Sequence, residues 1–287
     1  MHGAASSHAT SDQYVTALHG HQIDVESADM KGERKTMEDV SLINLSAHRL
    51  LVGIFDGHGG ATAPNYLATE LAQVIRGYTT PEQITTLIAR LDEAYCAEHS
   101  RSDGSCALFA VIEPPCSAEW NVTLCHIGDS RAILFRADGS YTLLTTDHHP
   151  NVPSEAARIQ AAGARVYRNY ICTQRGANEY RLALSRSFGD RHFKCVTGLP
   201  LDMQPVVVEP DIVVFKAQSG DILLLCCDGI FENLSVADVV HFVKRELQVS
   251  TQNDTLCAKL NRHSLQMGSR DNHTSMMLTF GRSVILP

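Results

Sequence analysis

Short β-branched or apolar runs recur along this chain between turn residues: Val40–Leu45, Leu50–Phe55, Ala107–Ile112, Val122–Ile127, Ala132–Phe135, Ile212–Phe215, Ile222–Cys226 and Ser275–Phe280. Runs this short and this rich in branched residues predict many strands, often joined as hairpins. Helical signals lie between them. Thr80-Pro-Glu-Gln83 supplies an N-cap, a proline at the first helical position and a capping-box glutamine, and Ile84, Leu87, Ile88, Leu91 and Tyr95 follow at helical spacing. Similar signals predict helices over Thr62–Gly77, Ser154–Ala162, Ser235–Gln248 and Asp254–Met267, with Gly163 and Gly268 as stops. Asp190–Pro205 has mixed polarity and weak periodicity, which predicts a surface flap. Residues 1–21, rich in Ser, Ala, His and Thr without an apolar period, read as a mobile tail, with order beginning near Ile23. Residues 22–287 then form one domain, a length that β-rich domains reach as a unit.

Composition narrows the function. A formal net charge of −8 argues against nucleic acid as a partner, because gripping phosphates takes a lysine and arginine surface. No stretch approaches a membrane span, the start MHGAASSHATSD lacks the regions of a secretory signal, and His2 stands where myristoylation needs glycine. No membrane partner is therefore expected. Nine cysteines, an odd number without CxxC or zinc-ligand spacing, read as reduced thiols of an intracellular protein, cytoplasmic or also nuclear.

The acidic residues mark the chemistry. Glu38-Asp39 precede a predicted strand, Asp56 and Asp228 each follow one, and Asp271 precedes SMMLTF. One aspartate at a strand end is usually a turn or cap former. Five carboxylates at such junctions can instead converge on one rim of a sheet, and their hard oxygens suit Mg²⁺ or Mn²⁺. Asp56-Gly-His-Gly-Gly60 adds glycines that let backbone approach a ligand, and His58 adds a titratable proton donor. Arg34 could present a guanidinium fork to a phosphate.

Arg34-Lys-Thr-Met-Glu-Asp39, Asp56-Gly-His-Gly-Gly60, Gly104-Ser-Cys-Ala107, Gly128-Asp-Ser-Arg-Ala132, Asp147-His-His-Pro150, Leu184-Ser-Arg-Ser-Phe-Gly-Asp190, Cys227-Asp-Gly-Ile-Phe231 and Gly268-Ser-Arg-Asp-Asn272 resemble, in order and approximate spacing, the motif series of the protein phosphatase 2C family. The resemblance covers about residues 24–281. It implies an α+β fold, a four-layer αββα sandwich of two antiparallel β-sheets flanked by helices. It also implies two Mg²⁺ or Mn²⁺ ions held directly or through water by Glu38, Asp39, Asp56, the Gly57 carbonyl, Asp228 and Asp271, with Asp129 and Asp228 at a weaker third site. Arg34 then binds the phosphoryl group and His58 is the general acid. The implied reaction is hydrolysis of phosphoserine and phosphothreonine in phosphoproteins by a metal-activated water, without a covalent intermediate, and a monomer is expected. Four positions depart from the usual pattern: Cys106 replaces a common threonine, His149 a lysine, Glu232 an aspartate and His273 a methionine.

Three rival readings remain. Cys125-His-Ile-Gly-Asp-Ser-Arg131 formally matches the C-x5-R loop of a cysteine phosphatase, but Asp129 would put negative charge inside a phosphate cradle. A catalytically inactive scaffold or regulator could keep the fold, although every principal metal position is filled. A two-metal nuclease would need the basic stripe that this chain lacks.

Overall fold

Successive side chains of Leu50–Phe55 bury in opposite directions: Leu50, Val52 and Ile54 enter one core, Leu51 and Phe55 another. Ala107–Glu113 does the same, with Leu108, Ala110 and Ile112 on one side and Ala107, Phe109 and Val111 on the other. Strands covered on both faces form inner layers, and the period of two sorts their side chains between the covering layers.

The computed structural model describes residues 10–281 apart from 19–20, 47, 79, 100–102, 115–118, 176–177 and 250–253. Its strands begin with β1 (Thr10–Leu18), β2 (His21–Met30), β3 (Val40–Leu45), β4 (Leu50–Phe55), β5 (Gly57–His58), β6 (Gly104–Ser105), β7 (Ala107–Glu113), β8 (Glu119–Ile127), β9 (Arg131–Phe135) and β10 (Tyr141–Leu143). They continue with β11 (Arg165–Tyr167), β12 (Tyr170–Arg175), β13 (Asn178–Leu182), β14 (Phe188–Gly189), β15 (Asp211–Gln218), β16 (Ile222–Cys226) and β17 (His273–Phe280). The α-helices are α1 (Thr62–Val74), α2 (Pro81–Glu98), α3 (Pro153–Ala161), α4 (Val236–Gln248) and α5 (Leu256–Gln266).

One antiparallel sheet runs β1-β2-β17-β16-β9-β10 and a second runs β15-β8-β7-β4-β3. Val25, Val52, Val122, Ile133 and Leu224 belong to the core between them, which continues to Val239 and Val243 of α4 and Leu260 of α5 on the far side of the first sheet. Leu67 and Leu71 of α1 and Ile88 and Tyr95 of α2 pack on Phe55 and Phe109 of the second sheet. The fold is thus α+β, with two antiparallel sheets face to face and helices outside both. The predicted capping box closes α2, with Thr80 Oγ1 accepting from Gln83 N at 3.3 Å and Gln83 Oε1 from Thr80 N at 3.2 Å. None of the described helices is long and apolar enough to cross a membrane.

Two expectations need correction. The tail expected over residues 1–21 is a strand from Thr10 to Leu18, paired along its length with β2, from Thr10 opposite Asp29 to Leu18 opposite His21. An edge strand is held by its backbone ladder and so needs no apolar period. Residues 1–9 lie outside the described residues. The flap expected at Asp190–Pro205 is the last part of a larger unit. There α3 and the β11-β12-β13 sheet close over a small core of Ile159, Ile171, Phe193 and Val206. Its strands are short and mostly polar, so their alternation did not stand out.

Two ion clusters, one partly exposed and one buried, fasten this unit to the sandwich. Glu155 of α3 accepts from Arg158 Nη2 at 2.8 Å and from Arg186 Nη2 at 2.8 Å, while Arg186 also reaches Asp211 at 3.1 Å. Lys194 donates to both oxygens of Asp92 on α2, at 2.8 and 2.9 Å, and to the Ser187 carbonyl at 2.7 Å.

Candidate metal centre and catalytic groups

Strand ends deliver the carboxylates. β4 stops at Phe55 and presents Asp56; β16 stops at Cys226 and presents Cys227 and Asp228; Asp271 stands just before β17. Ligand atoms of Asp56, Cys227 and Asp228 lie within 4.8 Å of one another. Asp39, buried just before β3, accepts from Thr274 Oγ1 at 2.7 Å. Glu38 accepts from Thr36 Oγ1 at 2.9 Å and from Gly60 N at 3.2 Å. Asn272 binds these loops together: its Oδ1 accepts from Glu38 N at 2.9 Å, and its Nδ2 donates to the Lys31 and Thr36 carbonyls at 2.8 and 3.0 Å. Gly57 is required by space, since a Cβ there would lie 2.4 Å from the Glu38 carbonyl oxygen.

Burial, and then the neighbouring carboxylates, push the protonation of this group upward. Asp39 and Asp228 are each raised to about 7, and Asp56 and Asp129 are raised as well. Burial is the largest cause in all four; the charge of Asp228 adds most at Asp56, and that of Asp129 adds most at Asp228. Among the described residues none of these four has a lysine or arginine ion pair. The nearby guanidiniums are engaged elsewhere, Arg34 with Asp271 at 2.6 Å and Arg131 with Asp147 at 2.6 Å. A cavity of about 280 Å³ opens onto Asp129, Asp147, His149, Asp228, Glu232 and Asp271. Hard oxygen donors crowded in this way fit divalent cations, which would supply the missing counter-charge.

Asp129 sits on the β8–β9 turn. Its carboxylate accepts from Cys106 Sγ at 3.3 Å, and the turn is pinned by Gly128 N donating to His148 Nδ1 at 3.0 Å. With Nδ1 an acceptor, neutral His148 carries its proton on Nε2, which faces Asp211 at 3.2 Å. This tautomer explains why a second trio, His126, His148 and Asp211, does not suit a cation even though its ligand atoms lie within 4.8 Å of one another. Coordination at His148 Nε2 would move the proton to Nδ1, against the Gly128 N–H.

His58 Nε2 lies 2.7 Å from Asp190 Oδ2, and Ser187 Oγ donates to the same oxygen at 2.5 Å. Burial opposes charge on His58, but Asp190 outweighs it and the pKa is raised. Gly104 makes the pair possible, because a Cβ there would stand 2.1 Å from Asp190 Oδ2 and 2.5 Å from His58 Nε2. Asp103 holds the DGHGG loop from behind, accepting from Ala63 N at 3.3 Å and from Tyr95 Oη at 2.8 Å.

Glu38, Asp39, Asp56, Gly57, His58, Asp129, Asp228 and Asp271 therefore gather at one end of the sandwich, with Arg34 beside Asp271. Cys125 is elsewhere: it is fully buried with the α1–α2 core, and burial drives its thiol far above the usual range. It cannot serve as a thiolate nucleophile. Glu232 faces the cavity while accepting from Ser269 Oγ at 2.9 Å and Arg270 N at 2.8 Å, so its longer arm is used to brace the loop before Asp271. His149 also lines the cavity, and buried His273 does not. Sequence reasoning gave no role to Asp190, Asn272 or Asp103. The first two stood in motifs already singled out, but their partners are 132 and 234 residues away.

The four-layer sandwich and its carboxylate centre define the class: an α+β protein whose sheet ends converge on a group of carboxylates that fits divalent cations. The protein phosphatase 2C family profile matches residues 23–273. Probable protein phosphatase 1N of Mus musculus is 33% identical over 268 residues, covering 88% of this chain and 63% of that protein. Protein phosphatase 1B of Bos taurus is 30% identical over 293 residues, covering 89% of this chain and 56% of that one. The chain thus spans only about three fifths of the length of these curated relatives. A phosphatase of Toxoplasma gondii superposes with a TM-score of 0.81 at 27% identity, covering 96% of each chain. The catalytic domain of the serine/threonine protein phosphatase PstP, solved in complex with 2 manganese ions, shares the fold at a TM-score of 0.59 and 20% identity, covering 91% of this chain and 99% of its own. The chain belongs to the protein phosphatase 2C family.

Proposed function

We propose that the protein hydrolyses phosphoserine and phosphothreonine in proteins, using divalent cations at the Asp56–Asp228 centre and no covalent intermediate. The observation that carries this reading is the convergence of raised, cation-seeking carboxylates with Arg34 and the His58–Asp190 pair. Glu38, Asp39, Asp56, the Gly57 carbonyl, Asp228 and Asp271 would hold two Mg²⁺ or Mn²⁺ ions, and Asp129 would join Asp228 at a third. When bound, these ions supply positive charge and make hydroxide available from water near neutral pH.

The chain's own groups do the rest. Arg34, more than half exposed, can turn its fork from Asp271 to phosphoryl oxygens at the cavity mouth. Protonated His58 engages Asp190 through Nε2–H, which leaves Nδ1–H to donate to the departing serine or threonine oxygen. Asp190 fixes the ring and favours its charged form. Carboxylates at every principal metal-ligand position support catalysis over an inactive scaffold. A monomer acting on phosphoproteins inside the cell is the setting proposed with it, supported by the free cysteines among the described residues.

Purified protein should hydrolyse a phosphoserine peptide with Mn²⁺ or Mg²⁺ added and lose that activity in EDTA, with Cys125→Ser unaffected. Full turnover by metal-stripped protein would overturn the reading.

A further inference from the structure

Charge is distributed unevenly along this acidic chain. Between residues 151 and 206, which span the flap unit, stand eight lysines and arginines against four aspartates and glutamates; the remainder carries sixteen against twenty-eight. The flap is therefore a basic body on an acidic one. Part of its charge is spent internally, on Glu155 by Arg158 and Arg186 and on Asp92 by Lys194. Arg165, Arg168, Arg181 and Arg191 are exposed. Arg165 and Arg181 are 69% and 57% exposed and share a single carboxylate, Glu179, at 3.2 and 3.1 Å.

Arg168 is the most telling. It occupies the turn between β11 and β12 at φ 55, in the left-handed region where glycine or asparagine is the usual choice. An arginine there is conformationally disfavoured, which turns attention to what its side chain does. Its guanidinium lies 5.5 Å from the centroid of the Tyr167 ring, with that of Arg165 at 5.8 Å, and Tyr167 and Tyr170 are 49% and 45% exposed. Two arginines braced on the exposed Tyr167 ring form a surface suited to carboxylates.

The surface leads to the candidate site. β13 carries Arg181 and ends at Leu182; the next carbonyl, Ala183, is 3.3 Å from His149 Nδ1, and His149 lines the acidic cavity. The same unit then supplies Asp190 to His58. The backbone two residues beyond Arg181 thus meets the cavity wall, so the flap's β-sheet adjoins the candidate site.

We propose that Arg165, Arg168 and Arg181 form a docking surface for acidic sequence flanking the phosphorylated serine or threonine, so that the protein selects acidic phosphopeptides. This inference rests on the phosphatase reading and names its substrate class. Charge complementarity identifies the occupant: the rest of the chain carries a net negative charge, and residues 151–206 a net positive one that suits acidic sequence.

The test uses the full chain, two phosphoserine peptides of equal length flanked on both sides by glutamate or by lysine, and p-nitrophenyl phosphate, which is too small to reach the flap. The unsubstituted protein should favour the glutamate peptide in kcat/KM by about tenfold at low salt, a preference that fades as salt screens it. R165Q/R168Q/R181Q should lose most of that preference while p-nitrophenyl phosphate turnover is unchanged. Arg168→Gly separates recognition from folding: it relieves the left-handed turn, so Tm should hold or rise while the preference falls about twofold to threefold. No preference for glutamate, a preference untouched by the triple variant, or stronger competition from single-stranded nucleic acid than from unphosphorylated glutamate peptide would overturn the proposal. If the phosphatase reading itself fails, neither peptide nor p-nitrophenyl phosphate is turned over. Fluorescence anisotropy of labelled glutamate peptide, bound by the unsubstituted protein and not by the triple variant, would then still report the docking surface, and equal binding by both would reject it.

Discussion

Two groups of buried or half-buried carboxylates in this chain have opposite electrostatics. Glu155, on the flap's helix α3, lies among arginines: burial alone would raise its pKa, but Arg186 and Arg158 overcome burial and lower it to about 2. Burial raises Asp39, Asp56, Asp129 and Asp228, and neighbouring carboxylates add to it: Asp228 at Asp56, Asp129 at Asp228, Asp271 at Asp39 and Asp147 at Asp129. The chain supplies its own counter-charge in the first place and leaves it to come from outside in the second. Buried charge that is already paired is joinery; buried charge left unpaired calls for a ligand.

The largest effects should come from neutralising the unpaired group. Asp228→Asn and Asp56→Asn should each cut phosphopeptide turnover by at least about 10²–10³-fold, since they remove both the cation's ligand and the charge that attracts it. The same substitutions should stabilise the metal-free protein. A carboxylate with a raised folded pKa destabilises the fold above its unfolded value of 3.8, and for Asp228 that penalty is complete only above about pH 7. In EDTA at pH 8, Asp228→Asn should therefore melt roughly 2–4 °C higher, and at pH 4 the difference should nearly vanish. A variant that keeps its activity and melts lower in EDTA at pH 8 would erase the contrast.

Glu155→Gln should do the reverse, costing stability without removing any proposed metal ligand. A folded pKa lowered to about 2, against 4.5 when unfolded, gives stability that is fully present above pH 4.5 and lost as pH falls toward 2. The substitution should cost about 3 kcal/mol at pH 7, because Arg158 loses its only carboxylate and Arg186 keeps only the half-exposed Asp211, and should flatten the acid limb between about pH 5 and 2. Urea titrations of both proteins across that range test it. Parallel curves would mean that Glu155 contributes no pH-dependent stability.

How much of this could be read beforehand depended on the kind of constraint. The inner strands and the helices were legible because burial imposes a period, as at Leu50–Phe55 and Ile84–Tyr95. Asp56, Asp228 and Asp271 were legible because strand ends can be located from the runs beside them. β1 was not, since TSDQYVTAL is held mainly by its backbone ladder to β2. β11 to β13 were not, because their mostly polar sequences hide a core of a few residues. Asp190 was visible as a motif member, but its role arises from a left-handed backbone at φ 52 and the long closure to His58, neither of which has a local signature.

Asp190 stands between the two groups, belonging to the flap segment while serving the candidate site, and it provides the smallest and most selective test. Burial alone would lower the His58 pKa, and the charge of Asp190 and its hydrogen bond raise it instead. If His58 acts as an acid, raising its pKa extends activity toward higher pH, because the protonated ring persists further. Asp190→Asn removes the charge but keeps a hydrogen-bonding side chain, so the alkaline limb of kcat for a phosphoserine peptide should move down by about one pH unit, which is about a tenfold loss at pH 8. p-Nitrophenyl phosphate should be spared, because its leaving group scarcely needs a proton. His58→Ala should show the same selectivity more strongly, by about 10²–10⁴-fold, and with no alkaline limb left to shift. Profiles taken at saturating Mn²⁺ for both substrates decide the matter: equal losses, without movement of the limb, would reduce Asp190 to a brace for the flap and reject His58 as the proton donor.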